Sequence, residues 1–173
     1  FTVESRMMLD VTIFREDKAV FSNIALNDAV ISKGAVARVV RLDIFTEEGR
    51  LTKVTGDGVV IATPTGSTGY SMAAGGPIVE PTARNLLITP ICAHSTRNSC
   101  CVLSPDHVIT VETSDANRKF VYLSADGGKA FSLKNGDRIR VRQSKFDMGL
   151  VRLSKKSFCE ILEHKMGAVD YEK

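Results

Sequence analysis

Residues 56–81 read GDGVVIATPTGSTGYSMAAGGPIVEP, and the fold turns on how that run is parsed. Asp57-Gly58 is a turn pair. Val59, Val60, Ile61 and Ala62 follow as a short apolar run between turn signals, the pattern of a buried strand. Thr63-Pro64-Thr65-Gly66-Ser67-Thr68-Gly69-Tyr70, rich in hydroxyls with two glycines and a proline, reads as a loop. Ser67 or Thr68 is placed to cap a short helix through Tyr70, Met72 and Ala73, ended by Gly75-Gly76-Pro77. A strand that runs into such a loop and then a helix start suits a phosphate or sugar. Backbone N–H groups and the positive helix end face outward, and glycine permits close approach. The spacing is neither GxxxxGK[ST] nor GxGxxG, so spacing alone leaves a plain strand-to-helix connection open.

Outward from that run the chain is mostly short strands. Residues 6–15 and 18–31 alternate or run apolar on either side of Glu16-Asp17, a hairpin, and residues 39–46 and 50–55 form a second around Glu47-Glu48-Gly49. Further strands are expected at 86–91, 108–112, 120–124, 130–133, 138–142 and 149–153, with Asp126-Gly127 and Asn135-Gly136 as turns. A second helix is expected at 156–166, with Phe158, Ile161 and Leu162 on one face. No β-α-β alternation interrupts this. The expected fold is mainly β (α+β by strict count), packed antiparallel sheets in a sandwich-like single domain over residues 1–173 with two short helices.

Composition narrows the partners. Apolar residues at 43% and charged residues at 25% are ordinary globular values. No apolar run approaches the roughly 18 residues of a membrane span, and no secretory signal is present, although Phe1 is not a start methionine. The net charge of +3, from 23 basic and 20 acidic residues, is small and interspersed. That is too weak and too diffuse to argue for nucleic acid, and without an apolar span no membrane partner is expected, while a mild positive field suits phosphate-bearing ligands. Cys92, Cys100, Cys101 and Cys159 form no CxxC pair. They read as reduced, mostly apolar fillers of a cytoplasmic protein.

The run at 56–81 closely resembles the DG…TPTGSTAYSLSAGGP signature of the NAD kinases, nearly continuously over about twenty-five residues, with Gly69 for the usual Ala and Ala73 for a common Ser. The family phosphorylates the adenosine ribose of NAD to give NADP, and the resemblance implies the fold of its C-terminal domain. It also implies a set of NAD-binding residues. Asn27-Asp28 in ALNDAVISKG is similar to the family's Asn-Glu motif; by itself an amide beside a carboxylate suits vicinal ribose hydroxyls, or equally a strand-end turn. Asp57 is implied to hydrogen-bond the dinucleotide, and Arg38 stands where the family places a basic or polar contact. Thr63 and the segment Thr68, Gly69, Tyr70, Ser71, Met72 and Ala73 are implied to line the site, Tyr70 offering a ring and a hydroxyl. His94, in ITPICAHSTRNS, is similar to the family's PHTLSxRP segment, with a surface histidine as the alternative. Asp126-Gly127-Gly128 resembles the SxDGQ turn, with Asp126 read as a turn acceptor and Gly128 lacking the Gln side chain.

The resemblance covers only the C-terminal portion of an NAD kinase. Full-length members carry an N-terminal domain whose GGDGT motif holds the base and the phosphoryl donor, and no GGDGT occurs in these residues. The chain is therefore expected to supply NAD recognition, to contain no metal site or catalytic base of its own, and to be inactive alone. Mg2+ or another divalent metal is expected to arrive with ATP (or polyphosphate) at a donor site elsewhere. The partners implied are NAD or NADP, ATP in the longer protein, and a homodimer or homotetramer. A non-catalytic nucleotide-binding or assembly module on the same scaffold is the alternative.

Overall fold

The computed structural model describes residues 1–34, 39–94, 99–113, 121–154 and 156–166. In chain order the strands are β1 (Thr2–Arg15), β2 (Lys18–Ala25), β3 (Asp28–Lys33), β4 (Val40–Thr46), β5 (Gly49–Gly56), β6 (Gly58–Ala62), β7 (Leu86–Ile91), β8 (Cys101–Leu103), β9 (Ile109–Thr113), β10 (Val121–Ala125), β11 (Phe131–Ser132) and β12 (Arg138–Arg152). A 3-10 turn (Thr65–Thr68) and α1 (Tyr70–Ala73) follow β6, and α2 (Phe158–Met166) follows β12. The strands form two six-stranded sheets, ordered β2-β1-β12-β9-β4-β5 and β11-β10-β3-β6-β7-β8. Every strand pairing is antiparallel. This is the mainly β, two-sheet fold that the strand pattern and turn spacing predict.

One core joins the sheets. Leu9, Val11, Ile13, Leu42, Ile44, Ile109 and Val141 from the first meet Ile31, Val59, Ile61, Leu86, Ile88 and Leu123 from the second. Period-2 alternation along β1 sends these side chains inward, and burying each Leu or Ile contributes roughly 1.5–3 kcal/mol. The second sheet is covered on its outer face as well, where Val30, Val60, Ala62, Leu87 and Ile91 pack under Ala74 and Val79. All five residues of β6 are therefore buried.

Several expectations are corrected. Residues 18–31 are not one strand: the chain leaves the first sheet after Ala25 and enters the second at Asp28. An apolar run carries no mark of the sheet it joins, so that break was silent. Conversely, the strands expected at 138–142 and 149–153 are one, β12, paired along β1 through a register shift between Met7 and Leu9. The irregularity breaks the alternation that would have revealed one strand. β8 was not anticipated. The cysteines are free, and of the four only Cys101 packs against the core: Cys92 and Cys159 are exposed and Cys100 and Cys101 half-buried, because they fall in loops, at an edge strand and on an exposed helix. No helix among the described residues is long and apolar enough to cross a membrane.

Candidate functional site

Two crossings between the sheets organise the second sheet. The chain enters β3 through Leu26-Asn27, and it enters β6 through Asp57. Because β3 and β6 are antiparallel, with Asp28 opposite Ala62 and Ser32 opposite Gly58, these entries lie at opposite ends of the sheet.

At one end the Leu26–Asp28 bend meets the loop that leaves β6. Thr63 is fully buried; its N–H donates to Asn27 O at 2.9 Å and its hydroxyl donates to Leu26 O at 2.6 Å. Gly66 packs flat on Asn27, where an added Cβ would lie 2.6 Å from the Asn27 carbonyl carbon. Asp126, at the exit of β10, closes the other side. Its carboxylate accepts the N–H groups of Leu26 at 2.7 Å, Asn27 at 2.7 Å and Asp28 at 3.1 Å. The Asp126 N–H in turn donates to Asp28 O at 3.0 Å. No described residue hydrogen-bonds the Asn27 amide or the Asp28 carboxylate. Asp28 is 7% exposed, and burial, followed by the like charge of Asp126, raises its carboxyl above the usual aspartate value.

The loop is less open than its composition suggests. Of its backbone donors, Gly66 N–H bonds Thr63 Oγ1, while Ser67 N–H and Gly69 N–H bond Pro64 O and Gly66 O. Neither Ser67 nor Thr68 caps a helix. The residue before α1 is Gly69 and no side chain caps it, because the Ser67 hydroxyl bridges the N–H and C=O of Val79 at 3.1 and 3.2 Å instead. The Ser71 hydroxyl is buried against that of Thr89 at 2.8 Å. With α1 only four residues long, the dipole expected of a helix start contributes little. The loop turns outward Gly69, Tyr70 (46% exposed), Met72 and Ala73, with Thr68 half-buried. Asn27, Asp28, Thr63 and Thr68–Ala73 thus share one end of the sheet, with Thr63 and Ser71 committed to internal bonds. Beside Thr65 and Thr68 a cleft of about 1000 Å3 opens toward α2, walled by Glu4, Arg6, Arg152 and Phe158.

Asp57 stands at the opposite end. At about 3.3 Å per residue, β6 alone separates the two ends by roughly 13 Å. Asp57 N–H bonds Ile91 O at 2.9 Å and its C=O accepts Lys33 N–H at 2.9 Å, while its carboxylate pairs with Lys33 Nζ at 2.7 Å. Asp57-Gly58 is therefore a crossing between sheets, not a hairpin turn. Gly58 adopts φ +156° where an added Cβ would lie 2.8 Å from Ser32 Cα. The exposed His94 belongs to this end too, its N–H bonding Thr55 O at 2.9 Å. Arg38 lies outside the described residues. Sequence reasoning missed Lys33 as the partner of Asp57 and Arg6, Glu4 and Arg152 in the cleft. Lys33, two residues beyond the apolar run Ala29-Val30-Ile31, was the signal on offer for the first.

Comparison with known proteins agrees with this architecture. The NAD kinase of Natranaerobius thermophilus is 39% identical over 166 residues, covering 96% of this chain and 58% of that protein. That of Geobacter metallireducens is 44% identical with the same coverage. The chain thus spans somewhat under three-fifths of these relatives. Yeast NADH kinase, solved with NADH, superposes with a TM-score of 0.89 at 30% identity, over 99% of this chain and 50% of the other. An Archaeoglobus fulgidus NAD kinase solved with ATP superposes at 0.69 and 24% identity over 86% of this chain and 55% of the other, which bears on the fold alone. Residues 26–153 match the model of the ATP-NAD kinase C-terminal domain, and the chain belongs to that family.

Proposed function

We propose that this chain is the NAD-recognising portion of an NAD kinase, an enzyme that transfers a phosphoryl group from ATP or polyphosphate to the 2′-hydroxyl of the adenosine ribose. The observation that carries this is the meeting of Asn27 and Asp28 with the loop 63–73. A buried carboxylate and an amide, neither bonded by a described residue, stand beside a loop that offers the exposed Tyr70 ring. Ribose hydroxyls satisfy an ionised carboxylate and an amide together, and a flat base packs on an aromatic ring. The NADH-bound yeast relative supports the reading.

The distance of Asp57 from that end refines it. Every residue of β6 is buried, so no groove along it joins Asp57 to Asn27 within one chain. We infer that Asp57, with Lys33 and His94, serves the dinucleotide site of a second copy, in a homodimer or homotetramer. Among the described residues no three His, Cys, Asp or Glu side chains converge. The described residues therefore offer no metal cage of their own, and no step is assigned to a metal. Without GGDGT in its 173 residues, the chain binds NAD without making NADP.

Calorimetric titration with NAD tests this. Binding that weakens in Asn27→Ala and Tyr70→Ala, and in Asp57→Ala only at concentrations where copies associate, is the expected result. A folded, associated chain with no affinity for NAD overturns the reading and favours a non-catalytic assembly module. NADP formation from NAD and Mg-ATP by this chain overturns the inactivity.

A further inference from the structure

We propose that Asp126 is a positioning residue for dinucleotide binding: it fixes the Leu26–Asp28 backbone so that the Asn27 and Asp28 side chains are the groups left to meet the ligand. The inference rests on the reading of Asn27-Asp28 as a ligand contact and goes beyond it by assigning what holds them.

The bonding of the bend carries the argument. It has three N–H donors and three C=O acceptors, and two residues satisfy all six. The Asp126 carboxylate takes the N–H groups of Leu26, Asn27 and Asp28. Thr63 bonds the carbonyls of Leu26 and Asn27, and the Asp126 N–H bonds that of Asp28. A turn acceptor of the ordinary kind bonds its own backbone one or two residues on. Asp126 instead reaches 98 to 100 residues along the chain to three consecutive amides, and it sits at φ +49°, which aspartate tolerates better than most residues. A fixed backbone removes ordering cost from binding.

The same placement sets two carboxylates side by side with unequal support. Asp126 has three N–H donors; Asp28 has none from a described residue. Asp28 lies between Asp126 at the exit of β10 and the uncharged Ala62, its partner on β6. Among the described residues Asp126 is the one charged group acting on it.

Asparagine at 126 keeps the backbone conformation but turns one acceptor oxygen into a donor that opposes an N–H, and it removes the like charge. Titration of NAD into the chain from neutral pH down through the acid limb tests the proposal with Asp126→Asn, Asp126→Ala and Asn27→Ala. Asp126→Asn is expected to weaken binding about tenfold and to move the acid limb of the binding profile to lower pH. Asn27→Ala is expected to weaken binding without moving that limb, since it leaves the charge of Asp126 beside Asp28 in place. If Asn27→Ala weakens binding while Asp126→Asn leaves affinity and limb unchanged, the proposal fails and the ligand reading stands. If NAD does not bind the unmutated chain, or Asn27→Ala has no effect, the ligand reading fails and takes the proposal with it. Should the Asp126 variants not fold, amide exchange on the unmutated chain decides: slow exchange at Leu26, Asn27 and Asp28, slowed further by NAD, supports the proposal, and loop-like rates overturn it.

Discussion

Gly66 lies flat against the peptide of Asn27, so close that any Cβ would enter the Asn27 carbonyl. The contact is backbone on backbone, and neither strand end can yield without breaking the Thr63 N–H to Asn27 O bond of 2.9 Å. Gly66→Ala is expected to cost about 2–4 kcal/mol and to weaken NAD binding along with it. Gly69→Ala, whose added Cβ meets only Gly66 O at 3.3 Å, is expected to change stability by less than about 1 kcal/mol. Urea denaturation of both variants checks the contrast, and equal losses would contradict it.

Asp28 is a buried carboxylate held at a cost to stability. Burial and the neighbouring Asp126 raise its carboxyl in the folded chain. A raised acid favours the fold below its unfolded value, near pH 4, and that advantage is lost as pH rises through the folded value. At neutral pH the charged form is therefore a burden. Asp28→Asn is expected to stabilise the chain by on the order of 1 kcal/mol at pH 7, with the gain vanishing near pH 4, while NAD affinity falls. Thermal melts at the two pH values measure it.

Arg15 and Asp137 give the opposite sign. Asp137 is buried and accepts Arg15 Nε and Nη2, each at 2.7 Å, and Lys134 N–H at 2.8 Å. Burial alone would raise its carboxyl, but these donors outweigh it and hold it below the usual value. A depressed carboxyl stabilises above its unfolded value and loses that contribution as pH falls through the folded one. Asp137→Ala leaves a guanidinium and a turn N–H without their acceptor and is expected to cost about 2–3 kcal/mol near pH 7, with a smaller cost below pH 4. Chemical denaturation at both pH values tests it.

Asp147 has its carboxyl lowered to about 2, held there by hydrogen bonds from Arg84 and Ser5. Yet Arg84 is 42% exposed, and solvent screens the pair. Arg84→Ala is expected to cost no more than about 1 kcal/mol, and less at high salt. A loss as large as that of Asp137→Ala would refute the ranking by burial.

Period and turn chemistry are local, so the residues alone determined most strands: alternation located β1 and β4, a short apolar run located β7, and the Glu16-Asp17 hairpin closes with both residues at positive φ. The run 56–81 likewise declared a buried strand emptying into a hydroxyl-rich loop, and its resemblance to the NAD kinases pointed to the family. Which hydroxyls face outward was not written there, since Ser67 and Ser71 are turned inward by Val79 and Thr89, partners 12 and 18 residues away. The sheet order decided the rest. It carries Asp126 to Asn27 across 99 residues and strands Asp57 at the far end of β6, because antiparallel register depends on pairing among distant strands and no local pattern encodes it.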